Sequence, residues 1–341
     1  VRTRHLIIAA VLIALAAVEY AVVSTVNVTR VLAEATAPGR HADRPGASAD
    51  KGPEALPAYD PKHLINPDGK YLGVAINGAP PKMQLIDSFA ERTGKKPNMI
   101  TLYLSFDDGF AANEVRQIYS YGALPAVRWE PFNAKLSDIA AGKHDEYITT
   151  FATLVRKVNL PIALTFGHEM NGGWYPWGMG KKANNAADFV AAWRHVHDLF
   201  AKADATNVIW TWTPNVINPV PSVRLKPLYP GDRYVDWVGI DGYYTHRGKH
   251  TYSELFGPTM RQVRTFTKRS FMIMETAGEP GTARPDWIAD LFAGAAKDSR
   301  VVGFVWFNNN GSAKWNIDRD PAAVREFRRA AKNRTYGFQV K

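Results

Sequence analysis

The chain has 341 residues, 46% of them apolar and 22% charged, enough material for a large core and unlike a wholly disordered polymer. Cysteine is absent, which excludes a disulfide framework and thiolate metal sites. The formal charge of +10 comes from scattered Lys and Arg with no nucleic-acid-reading motif, so a solvated basic surface is expected and no nucleic-acid partner.

Arg2 and Arg4 precede the apolar run Leu6 to Val18, which continues past Glu19 through Tyr20 to Val23. Residues 1–30 therefore read as a signal peptide or a signal-anchor transmembrane segment. Leu6 to Val23 reaches roughly 27 Å as a helix, marginally enough to span a bilayer. A small-residue cleavage pattern, Ala33-Glu34-Ala35, lies far downstream, which favours an uncut anchor with the bulk of the chain outside the cytoplasm, held to the cell membrane or secreted. Residues 31–62 are rich in Ala, Pro, Gly, Asp and Arg without periodicity and read as a flexible, disordered linker.

From residue 63 to 341, short apolar runs alternate with amphipathic stretches. The runs are Tyr71 to Ile76, Met99 to Phe106, Leu124 to Trp129, Pro161 to Phe166, Asn207 to Thr213, Val235 to Ile240, Ser270 to Glu275 and Val301 to Phe307. Helix candidates are Met83 to Arg92, Asp145 to Val158, Ala187 to Ala203, Tyr252 to Lys268, Pro285 to Lys297 and Pro321 to Lys332. Eight strands with intervening helices predict an α/β fold, a (β/α)8 TIM barrel, with a doubly wound sheet as the alternative. Polar and aromatic residues gather at the strand ends, among them Asp107-Asp108, Trp129-Glu130, His168-Glu169, Asn215, Asp241-Gly242-Tyr243, Glu275 and Trp306, as a barrel with its chemistry at one rim requires.

Glu169 follows the fourth run and Glu275 closes the seventh. On a barrel they meet at one mouth, and two carboxyls about 5 to 5.5 Å apart make a retaining glycosidase. Trp174 and Trp177, in the loop after Glu169, offer flat surfaces for a sugar ring, as do Trp129 and Trp306 at strand ends. Trp210 and Trp212, two apart on their strand, read as core.

The stretch His168-Glu169-Met170-Asn171-Gly172-Gly173-Trp174, with Trp177, resembles the acid/base motif of glycoside hydrolase family 26, and the resemblance covers roughly residues 68 to 335. It implies a barrel hydrolase of a β-linked polysaccharide, β-1,4-mannan as the default and mixed-linkage β-glucan close behind, with no cofactor or metal. It implies Glu169 as acid/base, Glu275 as nucleophile, His168 and Trp174 against the sugar preceding the cut, and Tyr243 on the nucleophile. Trp306 resembles the platform beneath the reacting sugar, a barrel-filling Trp being the alternative. Trp177, Trp129, Asp241, Asn171 and Arg128 complete the expected binding set. Many members carry an Arg three residues before the His, where this chain has Thr165. Arg128 could return a positive group to the mouth or pair with Glu130 or Asp107.

Two other readings stay open: a non-catalytic carbohydrate-binding barrel, and a hydrolase of an anionic envelope or extracellular polysaccharide, suggested by the basic charge. A zinc protease is excluded because Gly172 stands where a second His is needed. A monomer is expected.

Overall fold

Eight strands close on themselves in the computed structural model, which describes residues 57–341 except 218–220 and 249. They are β1 (Tyr71–Ala75), β2 (Met99–Ser105), β3 (Leu124–Glu130), β4 (Ile162–Phe166), β5 (Val208–Trp212), β6 (Trp237–Asp241), β7 (Ser270–Thr276) and β8 (Val301–Phe307). All neighbours are parallel in chain order and β8 returns to β1, so the sheet is a closed barrel with helices between its strands, as the alternating pattern predicts. The helix expected over Tyr252 to Lys268 is divided into Tyr252–Leu255 and Gly257–Arg264. Pro258 explains the break: it lacks an N–H and sits in the first turn of the second piece.

The expected anchor, and the linker as far as residue 56, lie outside the described residues. The described end of that linker belongs to the barrel unit, which starts at Pro57 rather than 63. The Tyr59 N–H donates to Asn159 Oδ1 at 2.7 Å, and Asn159 Nδ2 donates to the Pro57 carbonyl at 2.9 Å. A short helix, α1 (Lys62–Ile65), closes the N-terminal end of the barrel, where the Tyr71 hydroxyl and the Trp237 indole donate to the carbonyls of Leu64 and Ile65. Among the described residues no helix is long and apolar enough to cross a membrane.

Strand parity decides what reaches the mouth. Side chains alternate with a period of two, so Leu124 and Ala126 fill the barrel interior while Val127 and Trp129 pack beneath the helices. Arg128 and Glu130 share the inward parity, and Trp129 cannot. Its ring lies parallel to Phe151 at 4.2 Å, inside the helix layer, which removes it from the expected binding set.

Two irregularities change that parity. On β7, Met272 and Met274 face inward, so strict alternation turns Glu275 outward. The register instead pairs Ile240 with Ile273 but Asp241 with Glu275, and this one-residue bulge returns Glu275 to the mouth. On β8, Gly303 has φ +156° and lies so close to Tyr71 that a Cβ would stand 2.4 Å from its carbonyl oxygen. Val302 and Val305 both face inward around it, leaving Phe304 and Trp306 on the helix side. Trp306 meets Phe327 edge-on at 5.7 Å and is 1% exposed, so it is neither platform nor barrel filling; Phe307 takes the inward place.

Candidate active site

Glu275 is held from three sides at the C-terminal rim of the barrel. The Tyr103 hydroxyl on β2 donates to Oε1 at 2.7 Å, the Tyr243 hydroxyl after β6 donates to Oε2 at 2.5 Å, and the Arg128 guanidinium lies 3.2 Å from Oε1. Arg128 is fully buried and its fork also grips both oxygens of Asp241. Neither Arg128 nor Asp241 is open to a ligand, which corrects their expected binding role: they form a buried ion network behind Glu275. Arg128 pairs with neither of the partners considered from the sequence, because Asp241 is brought beside Glu275 by the β6–β7 register.

Glu169 follows β4 with φ +52°, a left-handed conformation uncommon for a residue with a side chain. Its N–H is tied to the Thr213 carbonyl at 2.7 Å. The Trp174 indole donates to Oε2 and the Asn215 amide to Oε1. Burial, and next the charge of Glu275, push its carboxyl up to about 7, while the two donated hydrogen bonds pull the other way. Trp174 is 41% exposed and can present its ring to a ligand while its N–H stays on Glu169.

Two of the expected ligand-contacting residues serve as supports. Asn171 is buried and exchanges hydrogen bonds with the backbone of Asn215, both at 2.9 Å, which aims the Asn215 amide at Glu169. Trp177 is 1% exposed, donates to the His168 carbonyl at 2.6 Å and lies parallel to Tyr175 at 4.5 Å. His168 is buried beside Tyr175, and burial, then the Arg128 charge, hold its imidazole well below the usual value, so it is neutral. Its Nδ1 has no hydrogen-bond partner, and its Nε2 is 3.9 Å from Glu130 Oε1.

Sequence reasoning missed Tyr103, Tyr175 and Trp315 as site residues, placed Asn215 at the rim without a role, and offered Glu130 only as a partner for Arg128. Inward parity on β2 could have found Tyr103. Nothing local marks Trp315, which reaches the site from the loop after β8 and packs on Tyr243 at 4.8 Å. Among the described residues no cluster of His, Asp and Glu is arranged to hold a metal. A buried proton donor within electrostatic reach of a carboxyl group held by two hydroxyls and a guanidinium suits general acid and nucleophilic catalysis at one carbon centre.

The family model described as glycosyl hydrolase family 26 matches residues 119–277. Endoglucanase H of Acetivibrio thermocellus is 29% identical over 264 residues, covering 74% of this chain and 29% of that protein. The mannan endo-1,4-beta-mannosidase A and B of Caldalkalibacillus mannanilyticus is 31% identical over 171 residues, covering 46% of this chain and 31% of that protein. The chain thus spans about a third of the length of these curated relatives. Among solved structures, the catalytic domain of an endo-beta-1,4-mannanase from Bacillus sp. JAMB-750 superposes with a TM-score of 0.63 at 16% identity, covering 81% of this chain and 89% of that one.

Proposed function

The chain belongs to glycosyl hydrolase family 26, and from that premise we propose that it is a retaining endo-β-glycoside hydrolase. The observation that carries this reading is the contrast between its two mouth carboxyls. Glu169 keeps its proton to about pH 7, whereas Glu275 accepts from two tyrosines and faces a guanidinium. Environments that differ in this way divide acid from nucleophile.

In the first step Glu275 attacks the anomeric carbon while Glu169 gives its proton to the glycosidic oxygen, so the C–O bond breaks and the aglycone leaves as an alcohol. In the second, Glu169 takes a proton from water, whose oxygen displaces Glu275 from the sugar. The left-handed backbone at Glu169 and the Asn215 and Trp174 donors keep its carboxyl aimed during both transfers.

For the substrate we propose a β-1,4-linked hexose polymer, mannan first. Mixed-linkage β-glucan is the second reading, favoured by the length of the match to an endoglucanase. The apolar Leu6 to Val23 run supports an extracytoplasmic barrel tethered to the membrane. Purified protein is to be incubated with mannan, mixed-linkage glucan, xylan and an acidic polysaccharide, with reducing ends counted and the first-formed anomer read by proton NMR. Retained β-configuration and loss of turnover in Glu275→Ala are expected; undiminished turnover in that variant overturns the assignment. Binding of the polymers without any hydrolysis would establish the carbohydrate-binding alternative.

A further inference from the structure

The reaction makes no use of the formal charge of +10. Part of that charge gathers at the base of the barrel, the end opposite the mouth. Residues 94–98 and 327–341 hold seven Lys and Arg and no Asp or Glu. The fold joins these two stretches across the starts of β1 and β2. Lys95 Nζ donates to the Asn333 carbonyl at 3.3 Å, the Gly337 N–H to the carbonyl of Lys70 before β1 at 2.9 Å, and the amide of Asn98 before β2 to the Phe338 carbonyl at 2.9 Å. Of the seven cations, Arg329 is taken up by Glu326 at 2.5 Å. Lys96, Lys332, Arg334 and Lys341 are exposed, and none of them stands in an ion pair among the described residues. Two of their ammonium groups rest on aromatic faces, Lys96 Nζ 3.9 Å over the Tyr121 ring and Lys341 Nζ 5.3 Å over that of Tyr119. An ammonium held in this way keeps donors for a phosphate oxygen.

The chain also enters the barrel unit at this base. Pro57 opens the unit, and its carbonyl is held by Asn159, which precedes β4. Carboxyl groups gather at the other end, where Asp107, Asp108, Glu130, Glu169, Asp241 and Glu275 close or follow their strands. Strands of five to seven residues put roughly 20 Å between the two ends, more than the Debye length of about 8 Å, so each end meets a surface on its own charge. We propose that the base is a docking surface for a bilayer carrying anionic phospholipid, and that the barrel sits base-down with its mouth turned to the polymer outside. This rests on the tether read from Leu6 to Val23, which confines the barrel to a bilayer and leaves its orientation to the charges on its surface. Phosphate headgroups attract Lys and Arg held within a Debye length, each cation adding to the attraction, and repel carboxylates at the mouth. A docked base keeps Glu169 and Glu275 clear of the lipid.

The test uses the absence of cysteine, which lets one introduced thiol mark one place. Gln339→Cys, exposed at the base, and Ala183→Cys, exposed in the loop after β4, each carry a fluorescent donor in the full chain. The protein is reconstituted in vesicles of phosphatidylcholine, alone or mixed with phosphatidylglycerol, with a trace of headgroup-labelled lipid as acceptor. Energy transfer from the label at 339 is expected to rise about twofold or more with phosphatidylglycerol and to fall back in high salt, while transfer from the label at 183 stays low throughout. Lys96→Gln, Arg334→Gln and Lys341→Gln together should abolish the rise and leave oligosaccharide hydrolysis and Tm unchanged, because none of the three reaches the mouth. Equal transfer from both labels, or a rise that survives the triple substitution, overturns the docking surface. So does a base that binds soluble polygalacturonate and ignores phosphatidylglycerol, the outcome for a polymer-binding face.

Flotation separates this inference from the tether reading. A chain that fails to float with pure phosphatidylcholine vesicles, yet floats with those containing phosphatidylglycerol and loses that in the triple variant, sinks only the tether. A chain that floats with both and shows no charge-dependent rise at 339 sinks only the docking surface, and one that floats with neither sinks both.

Discussion

Arg128 and Thr165 are register partners on neighbouring strands. Thr165 stands where many family 26 sequences have an arginine, and the guanidinium that reaches Glu275 here comes from Arg128, one strand over. Thr165 has a small side chain whose hydroxyl meets that of Thr213 at 3.2 Å. The positive charge behind the nucleophile is therefore present, supplied from a different strand.

Removing that charge should be costly twice. Arg128→Met strips the buried carboxyls of Asp241 and Glu275 of their cationic partner, so a stability loss of about 3–5 kcal/mol is expected by denaturant titration, with turnover abolished. Adding Asp241→Leu should recover much of the stability and none of the turnover. Full stability in the single variant would refute the ion network.

The two tyrosines on Glu275 should act separately. Tyr103→Phe and Tyr243→Phe each remove one hydrogen bond to a carboxylate oxygen, worth about 1.5–3 kcal/mol, so kcat is expected to fall roughly 10- to 100-fold in each with KM little changed. Because the bonds go to different oxygens, the double variant should lose about the product of the two effects. Steady-state kinetics on one oligosaccharide decide it.

The proton on Glu169 sets both activity and stability against pH. As its folded-state value is raised to about 7, the folded protein holds a proton that the unfolded chain releases above about pH 4.3. Its contribution to stability therefore declines as pH rises from there to 7, and kcat falls as the donor ionises above 7. Trp174→Phe and Asn215→Ala remove donors that favour the ionised form, so the alkaline limb of the pH–rate profile should move upward in both variants. A downward move would contradict the geometry.

A clamp behind the site should be rescuable. Arg284 is 2% exposed and donates to the carbonyls of Lys314 at 2.6 Å and Asn316 at 3.1 Å, the residues flanking Trp315, and to that of Glu279 at 3.1 Å. It thereby seats Trp315 against Tyr243. Arg284→Ala is expected to lower kcat about tenfold or more, and added guanidinium should restore part of it. Trp315→Ala should lower kcat similarly, without response to guanidinium; a response there would mean the clamp acts elsewhere.

The sequence by itself determined the barrel, because each strand is a short apolar run ending in polar residues and parallel strands buried on both faces must read that way. It also determined that Glu169 and Glu275 end β4 and β7, since order along the chain becomes order around the rim. Parity, partner choice and support belong to the tertiary structure. Trp129 was legible as a strand-end aromatic, but its direction follows from Arg128 and Glu130 taking the inward places. Trp306 is turned outward by the tight approach of Gly303 to Tyr71, and Glu275 is turned inward by a bulge against β6. A one-residue shift in register exchanges the two faces of a strand, and that shift is set by contacts between strands rather than by either strand's own residues. The same holds for Arg128: its charge is written in the sequence, and its partners are chosen by the strands that close around it.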